Sequence, residues 1–177
     1  GALLKQDFEN EIINLRGRIN LTDQFELNAR LSQFTDEVDQ KDSTDFVHGK
    51  TQEAEIYGKW NLMPQQTLLT GVTHRNLDGD ILSYGTPYNE DVDSTGYYIQ
   101  HQFNGTKLNT QICVRVEDNE KYGTHTVGQI AARYQLLPST SAYVNVGTAF
   151  KSPTLNELYN SWNGNPDLNP EESTSYE

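Results

Sequence analysis

The sequence predicts an all-β fold, an antiparallel up-and-down meander of about eight long strands. Three observations predict it. Apolar and polar residues alternate with a period of two through run after run, the pattern of a strand that shows its two faces to different media. Short turn-forming stretches join many of the runs, among them Asn104-Gly105 and Met63-Pro64-Gln65-Gln66, so successive strands are hairpin neighbours and need no crossover. The runs are also long. Roughly 10–12 residues at ~3.3 Å each, tilted by ~40°, cover about 25 Å, whereas strands of soluble sheets usually stop at ~5–6 residues.

The first run, Phe8 to Leu21, sets Ile13, Leu15, Gly17, Ile19 and Leu21 against Asn14, Arg16, Arg18 and Asn20. The second, Phe25 to Phe34, sets Phe25, Leu27, Ala29 and Leu31 against Glu26, Asn28, Arg30 and Ser32. An acidic loop over 36–46 is expected next. The third run, Gly49 to Leu62, places Ala54, Ile56, Gly58 and Trp60 opposite Glu53, Glu55, Tyr57 and Lys59. The fourth, Thr67 to Asn76, groups Leu68, Thr70 and Val72 with His74, and a long loop rich in glycine, aspartate and tyrosine is expected over 77–93. The fifth, Ser94 to Phe103, meets the sixth, Lys107 to Glu117, across Asn104-Gly105, a pair suited to the positive φ values of a type I′ turn. In the sixth, Leu108, Thr110, Ile112, Val114 and Val116 oppose Lys107, Asn109, Gln111, Cys113 and Arg115. The seventh covers Thr124 to Leu136, the eighth Ala142 to Phe150, and a ninth is expected to start at Ser173.

Short turns thus follow strands one, three, five and seven. Longer loops follow two, four and eight, with a moderate one after six. That asymmetry, joined to strand length, predicts the wall of an outer-membrane β-barrel. The apolar face (Ile13, Leu15, Leu27, Ile56, Ile112, Val114) then meets lipid. The polar face (Arg16, Arg18, Arg30, Lys59, Lys107, Arg115) is a lumen wall, or, in a soluble sheet, a solvated face. Phe25, Phe34, Trp60, Tyr134 and Phe150 near strand ends suit an aromatic girdle or, alternatively, a core at the rim of a sheet.

Composition sets further bounds. The net charge of -12 excludes nucleic acid as a partner, since phosphate binding needs a basic surface. No run of ~18 apolar residues exists to make a membrane helix, and no signal peptide is visible at Gly1-Ala2-Leu3-Leu4. A mean hydropathy of -0.73 reads as soluble, but a membrane barrel also averages low because half of each strand faces water. Cys113 has no disulfide partner, and the four histidines show no metal-ligand spacing. No G-x-S-x-G context or acid–base pair occurs, so no catalytic residues are assigned and no enzyme is expected.

Two fixed-spacing motifs remain. Gly147-Thr-Ala-Phe-Lys-Ser-Pro-Thr-Leu-Asn-Glu-Leu-Tyr159 joins the eighth strand to a loop, and Gly164-Asn-Pro-Asp-Leu-Asn-Pro-Glu171 leads out of it. Pro153, Pro166 and Pro170 exclude a helix interior or central strand here, yet Leu155, Leu158, Tyr159, Trp162 and Leu168 require an ordered, packed loop. Both motifs resemble segments of the TonB-dependent outer-membrane receptors of Gram-negative bacteria. Gly96-Tyr97-Tyr98-Ile99 and residues 117–125 resemble the cobalamin-receptor branch. The resemblance covers nearly the whole chain but only the middle of such a receptor, which implies that residues 1–177 are one partial barrel domain, an arc of a large outer-membrane β-barrel.

The resemblance implies capture of a scarce nutrient at the outer membrane, cobalamin or another corrinoid first and a ferric siderophore second. Import would be driven through TonB. It also implies as partners an internal plug domain, the remaining barrel strands, outer-membrane lipid, and TonB itself through an N-terminal segment. Acidic loops weakly disfavour anionic siderophores. The expected ligand contacts are Tyr84, Tyr88, Asn89, Tyr122, His125, Tyr159 and Trp162, because aromatics with polar tips stack on a flat macrocycle while facing water. Calcium is the one cofactor considered. Asp36, Asp39, Asp42 and Asp45 offer hard oxygen ligands, and cobalamin receptors order aspartate-bearing loops with calcium. The spacing matches no fixed calcium-loop pattern, and a solvated loop is the competing reading. Two readings of another class stay open, a soluble β-rich binding module and a small closed barrel acting as an adhesin.

Overall fold

The computed structural model describes residues 5–160 and 163–177. Its strands are β1 (Gln6–Asn20), β2 (Phe25–Gln40), β3 (Phe46–Met63), β4 (Gln66–Ser83), β5 (Thr86–Asn104), β6 (Leu108–Asn119), β7 (Gly123–Leu137), β8 (Thr140–Lys151) and β9 (Glu171–Tyr176), with one helical turn, α1 (Leu155–Tyr159), between β8 and β9. The strands form one antiparallel sheet in sequence order. This is the expected meander, with the ninth strand present.

The register carries the alternation across the sheet. One row reads Gly17, Ala29, Ile56, Val72, Tyr97 and Val116; the next reads Ile19, Leu27, Gly58, Thr70, Ile99 and Val114. These apolar rows lie bare: Tyr97 is 58% exposed and Ile19 56%. No second layer covers them among the described residues, where the buried apolar side chains are Ile81, Val92, Leu155 and Leu158. A soluble sandwich would bury this face, so the single layer argues for a wall designed to meet hydrocarbon. No described helix is long and apolar enough to cross a membrane, which leaves crossing by strands untouched.

The opposite face is polar and ion-paired. Arg30 bonds Glu53, and its Nε lies 3.3 Å from Glu55. Arg75 donates to the same Glu53 at 2.7 Å, and Tyr98 donates to Glu55 at 2.9 Å. Arg115 donates to Glu117 at 2.8 Å and to Thr73 at 2.7 Å. Arg16, Arg18, Arg30, Lys59 and Arg115 fall on this wall as expected, since each alternates with outward apolar neighbours.

Two expected loops are strand instead. Residues 36–46 mostly extend β2 and open β3, and residues 77–93 extend β4 and β5, leaving a two-residue hairpin at Tyr84-Gly85. Both turn residues have positive φ, 51° and 79°, as a type I′ turn requires; glycine adopts this freely, and Tyr84 does so beside it. Ser94 pairs with Asn119 at the end of β6, so residues 86–93 of β5 project about 25 Å beyond it along the strand.

The polarity of the faces reverses in this projecting part. In the band, apolar residues point outward and polar ones inward. Beyond it, Phe8, Ile12, Phe34, Val38, Val47, Leu77, Ile81, Tyr88 and Val92 share the inner face, while Glu9, Glu11, Glu37, Asp39, Asp78, Asp80 and Asp91 share the outer one. Phe34 therefore lies on the inner wall, away from any girdle on the outer face. Phe25 and Trp60 do pair outward, with ring centroids 5.4 Å apart.

Candidate functional site

The projecting end gathers side chains from four parts of the chain around α1. The helix forms where the prolines permit it. Pro153 precedes the N-cap Thr154, whose hydroxyl accepts from the Glu157 amide at 3.2 Å, while the Glu157 carboxylate accepts from the Thr154 amide at 2.7 Å. This capping box starts a turn that three nearby prolines alone would argue against. These bonds, the backbone one foremost, hold the Glu157 carboxyl below the usual carboxylate range.

α1 lies on the inner wall of β4 and β5. Leu155 and Leu158 are 8% and 3% exposed, alongside Ile81 and Val92 at 7% and 8%. Gly79 makes the close approach possible, since a Cβ there would stand 2.5 Å from Leu155 Cδ1. Polar contacts surround this seat. The Tyr88 hydroxyl donates to Asn156 Oδ1 at 3.4 Å, and its ring stands 6.2 Å from that of Tyr159. Lys121 Nζ donates to Glu90 at 3.0 Å and to the Tyr159 hydroxyl at 2.8 Å. The bond to Tyr159, then that to Glu90, holds the Lys121 amine above the usual lysine range. The Tyr122 hydroxyl donates to the Pro153 carbonyl at 3.3 Å, and burial pushes its phenol upward. His125 Nε2 lies 3.0 Å from the Tyr122 carbonyl, with its ring stacked 4.8 Å from Phe150.

Of the residues expected to contact ligand, Tyr88, Tyr122, His125 and Tyr159 thus form one contiguous network. Tyr84 sits at the hairpin tip, 76% exposed, at the rim of a hollow shared with Asn156. Asn89 does not join them. It is strand rather than loop, and strand alternation turns it to the outer face opposite Asp80. Trp162 lies outside the described residues. Sequence reasoning missed Lys121 and Asn156; the T-x-x-E spacing of Thr154 and Glu157 was the available signal that α1 would form and bring Asn156 inward.

The four aspartates are not gathered. Asp36 and Asp39 sit on β2 at positions of opposite parity, so they face opposite sides. Asp39 lies 3.1 Å from His48, and Asp42 accepts from the Lys5 amide at 3.1 Å. Asp45 stands just before β3. Among the described residues no group of three or more His, Cys, Asp or Glu side chains is placed to hold a metal ion.

A single sheet with one bare apolar wall, one ion-paired wall and a roofed projecting end is an arc of a membrane β-barrel. The family model of the TonB-dependent receptor-like β-barrel matches residues 4–177, and the chain belongs to that family. The vitamin B12 transporter BtuB of Photobacterium profundum is 40% identical over 94 residues, 52% of this chain and 16% of that protein. BtuB of Vibrio vulnificus is 36% identical over 104 residues, 57% of this chain and again 16% of the relative. Each match therefore spans only about one sixth of the relative's length. The siderophore receptor PirA from Pseudomonas aeruginosa superposes with a TM-score of 0.85 at 12% identity, over 97% of this chain and 36% of its own, and so shows the fold alone.

Proposed function

We propose that this barrel segment serves an outer-membrane transporter that captures a corrinoid, cobalamin first, at its cell-surface end and imports it with TonB-coupled energy. The observation that carries the reading is the 36–40% identity to proteins named vitamin B12 transporters, which spans about half the chain. The projecting end, with Tyr88, Tyr122, His125 and Tyr159 around α1, is then the extracellular mouth. Ring faces with polar tips suit a broad, flat, uncharged ligand. The ion-paired inner wall faces a plug domain supplied by the rest of the protein, and the apolar outer wall faces lipid. No bond is made or broken; the segment binds and guides.

The test is equilibrium binding by the complete receptor in outer-membrane vesicles, with cyanocobalamin set against ferric hydroxamate and ferric catecholate siderophores. Saturable binding of cyanocobalamin that the siderophores do not displace is the expected result. Preferential binding of either iron chelate would replace the corrinoid reading.

A further inference from the structure

The connection from β8 to β9 leaves and rejoins the sheet at one place, for Lys151 and Glu171 stand opposite each other in register. From that base it passes β7 and β6 and sets Leu155 against Gly79 of β4, a reach of about four strand spacings, roughly 19 Å. Its backbone bonds close on themselves. The Leu158 amide donates to the Thr154 carbonyl and that of Asn160 to Asn156, both at 3.1 Å; Gly164 donates to Asn160 at 2.7 Å and Asn165 to Glu157 at 2.9 Å. Glycine at 164 permits this closure, since a Cβ there would stand 2.5 Å from the Asn160 amide nitrogen. Among the described residues no backbone hydrogen bond joins residues 153–160 or 163–168 to a strand. The connection is a compact loop that carries its own hydrogen bonding.

Side chains fasten it to the sheet. Lys121 and Tyr122 stand on the turn between β6 and β7, and that turn is a fixed post: the side-chain oxygen of Asn119, a residue 7% exposed, accepts from both their amides, at 3.0 and 3.2 Å. From the post Lys121 Nζ donates to the Tyr159 hydroxyl at 2.8 Å and stands 5.2 Å from the centre of that ring, with Glu90 as its second acceptor at 3.0 Å. Tyr122 and Tyr88 donate their hydroxyl hydrogens to the Pro153 carbonyl and to Asn156 Oδ1. Lifting the loop breaks these few side-chain bonds and uncovers Leu155 and Leu158, but it breaks no backbone bond to the wall. A unit joined so sparingly belongs to the low-stability end of a structure, from which moving elements are drawn.

We propose that α1 and its flanking turns are a flap that gates the mouth: it is hinged at Lys151 and Glu171, lifts from the inner wall as one unit, and is latched by Lys121. Tyr88 and Tyr122 have given their hydroxyl hydrogens to the flap, so a ligand that accepts from either displaces it, and entry is coupled to lifting. The gating rests on the import reading above; the flap and its latch do not.

Amide exchange in the complete receptor reads the flap directly, because a turn as short as α1 does not persist off its seat. Lys121→Met removes both bonds and keeps the stem, and exchange of the Leu158 and Asn160 amides should quicken about fivefold, the size expected for partly exposed bonds to a charged group. Lys121→Arg, which can reach both acceptors, should stay within about twofold of wild type. Unchanged exchange in Lys121→Met would show that other contacts hold the loop, and overturns the latch. For the gate, Gly79→Cys with Leu155→Cys in a Cys113→Ser background closes the flap covalently; a Cβ at Gly79 stands 3.9 Å from Leu155 Cγ, the place of the new sulfur. Cells are offered cyanocobalamin or an uncharged ferric hydroxamate. Uptake of the probe that the wild type imports should fall about tenfold or more on oxidation and return on reduction. Full uptake with the cross-link formed overturns the gate. A wild type that imports neither probe overturns the import reading, and exchange then still decides the flap. Should the cysteine pair lose the heat-modifiable gel mobility of a folded barrel, the Lys121 variants alone decide.

Discussion

Thr154 and Glu157 decide whether residues 155–159 form a helical turn or an irregular loop. A turn this short has no propensity-driven stability of its own, so its cap and its packing must supply it. The Glu157 carboxyl is held low in the folded state by the Thr154 amide and hydroxyl. Its contribution is therefore fully present above the unfolded value of about 4.3 and is lost as pH falls through the lower folded value. Lys121 works in the opposite sense: raised by Tyr159 and Glu90, it contributes fully below about 10.4 and is lost only as pH rises through its folded value. The acid limb of the seat thus belongs to the cap. Amide exchange of residues 155–160, corrected for intrinsic rates, is expected to accelerate as pH falls below about 4. Thr154→Ala should reproduce that acceleration at neutral pH by about fivefold, the equivalent of about 1 kcal/mol for a lost N-cap. Unchanged exchange in the variant would show that the cap does not hold the turn.

At the scale of elements, the decisive contact is α1 on β4 and β5. Leu158 is the most buried apolar side chain of the described residues at 3% exposure. Leu158→Ala should cost roughly 2–3 kcal/mol, and because α1 touches the sheet through so few residues the loss should appear as local opening. Exchange at residues 155–160 would rise roughly 30- to 160-fold, with strands β6 to β8 unaffected; equal acceleration in both places would mean that α1 and the sheet open as one unit. The same elements explain what the sequence made legible. In the band the alternation of Ile13 to Leu21 or Leu108 to Val116 keeps one phase because the media on the two sides stay the same, and those strands are plain. Near Leu31 and Phe34, and again near Val72 and Leu77, the apolar phase slips by one residue although the pairing runs on without a bulge. That slip reads as the end of a strand. Physically it marks where the outer medium changes from hydrocarbon to water, and it turned four strand extensions into expected loops. It also placed Asn89 among ligand contacts when it faces outward. The network around Lys121 was illegible for another reason, since it joins positions 90, 121 and 159 that only the fold brings together.

For the whole molecule, the claim that the bare wall meets lipid makes the two faces of one strand unequal to the same charge. On β7, Ile130 points outward between Ile112 and Val146, and Gln129 points inward, its amide donating to Asn145 Oδ1 at 2.8 Å. An arginine on the lipid face of a barrel costs about 2–4 kcal/mol near the midplane and little near the interfaces, whereas an arginine facing the lumen keeps its water. Ile130→Arg in the complete receptor should therefore lower the stability measured by urea unfolding in lipid vesicles by about that amount, with Gln129→Arg close to wild type. The pair controls for strand propensity and for net charge, because both variants add the same side chain to neighbouring positions. Equal losses would mean that both faces see one medium, and the sheet would then be half of a soluble assembly rather than a membrane wall.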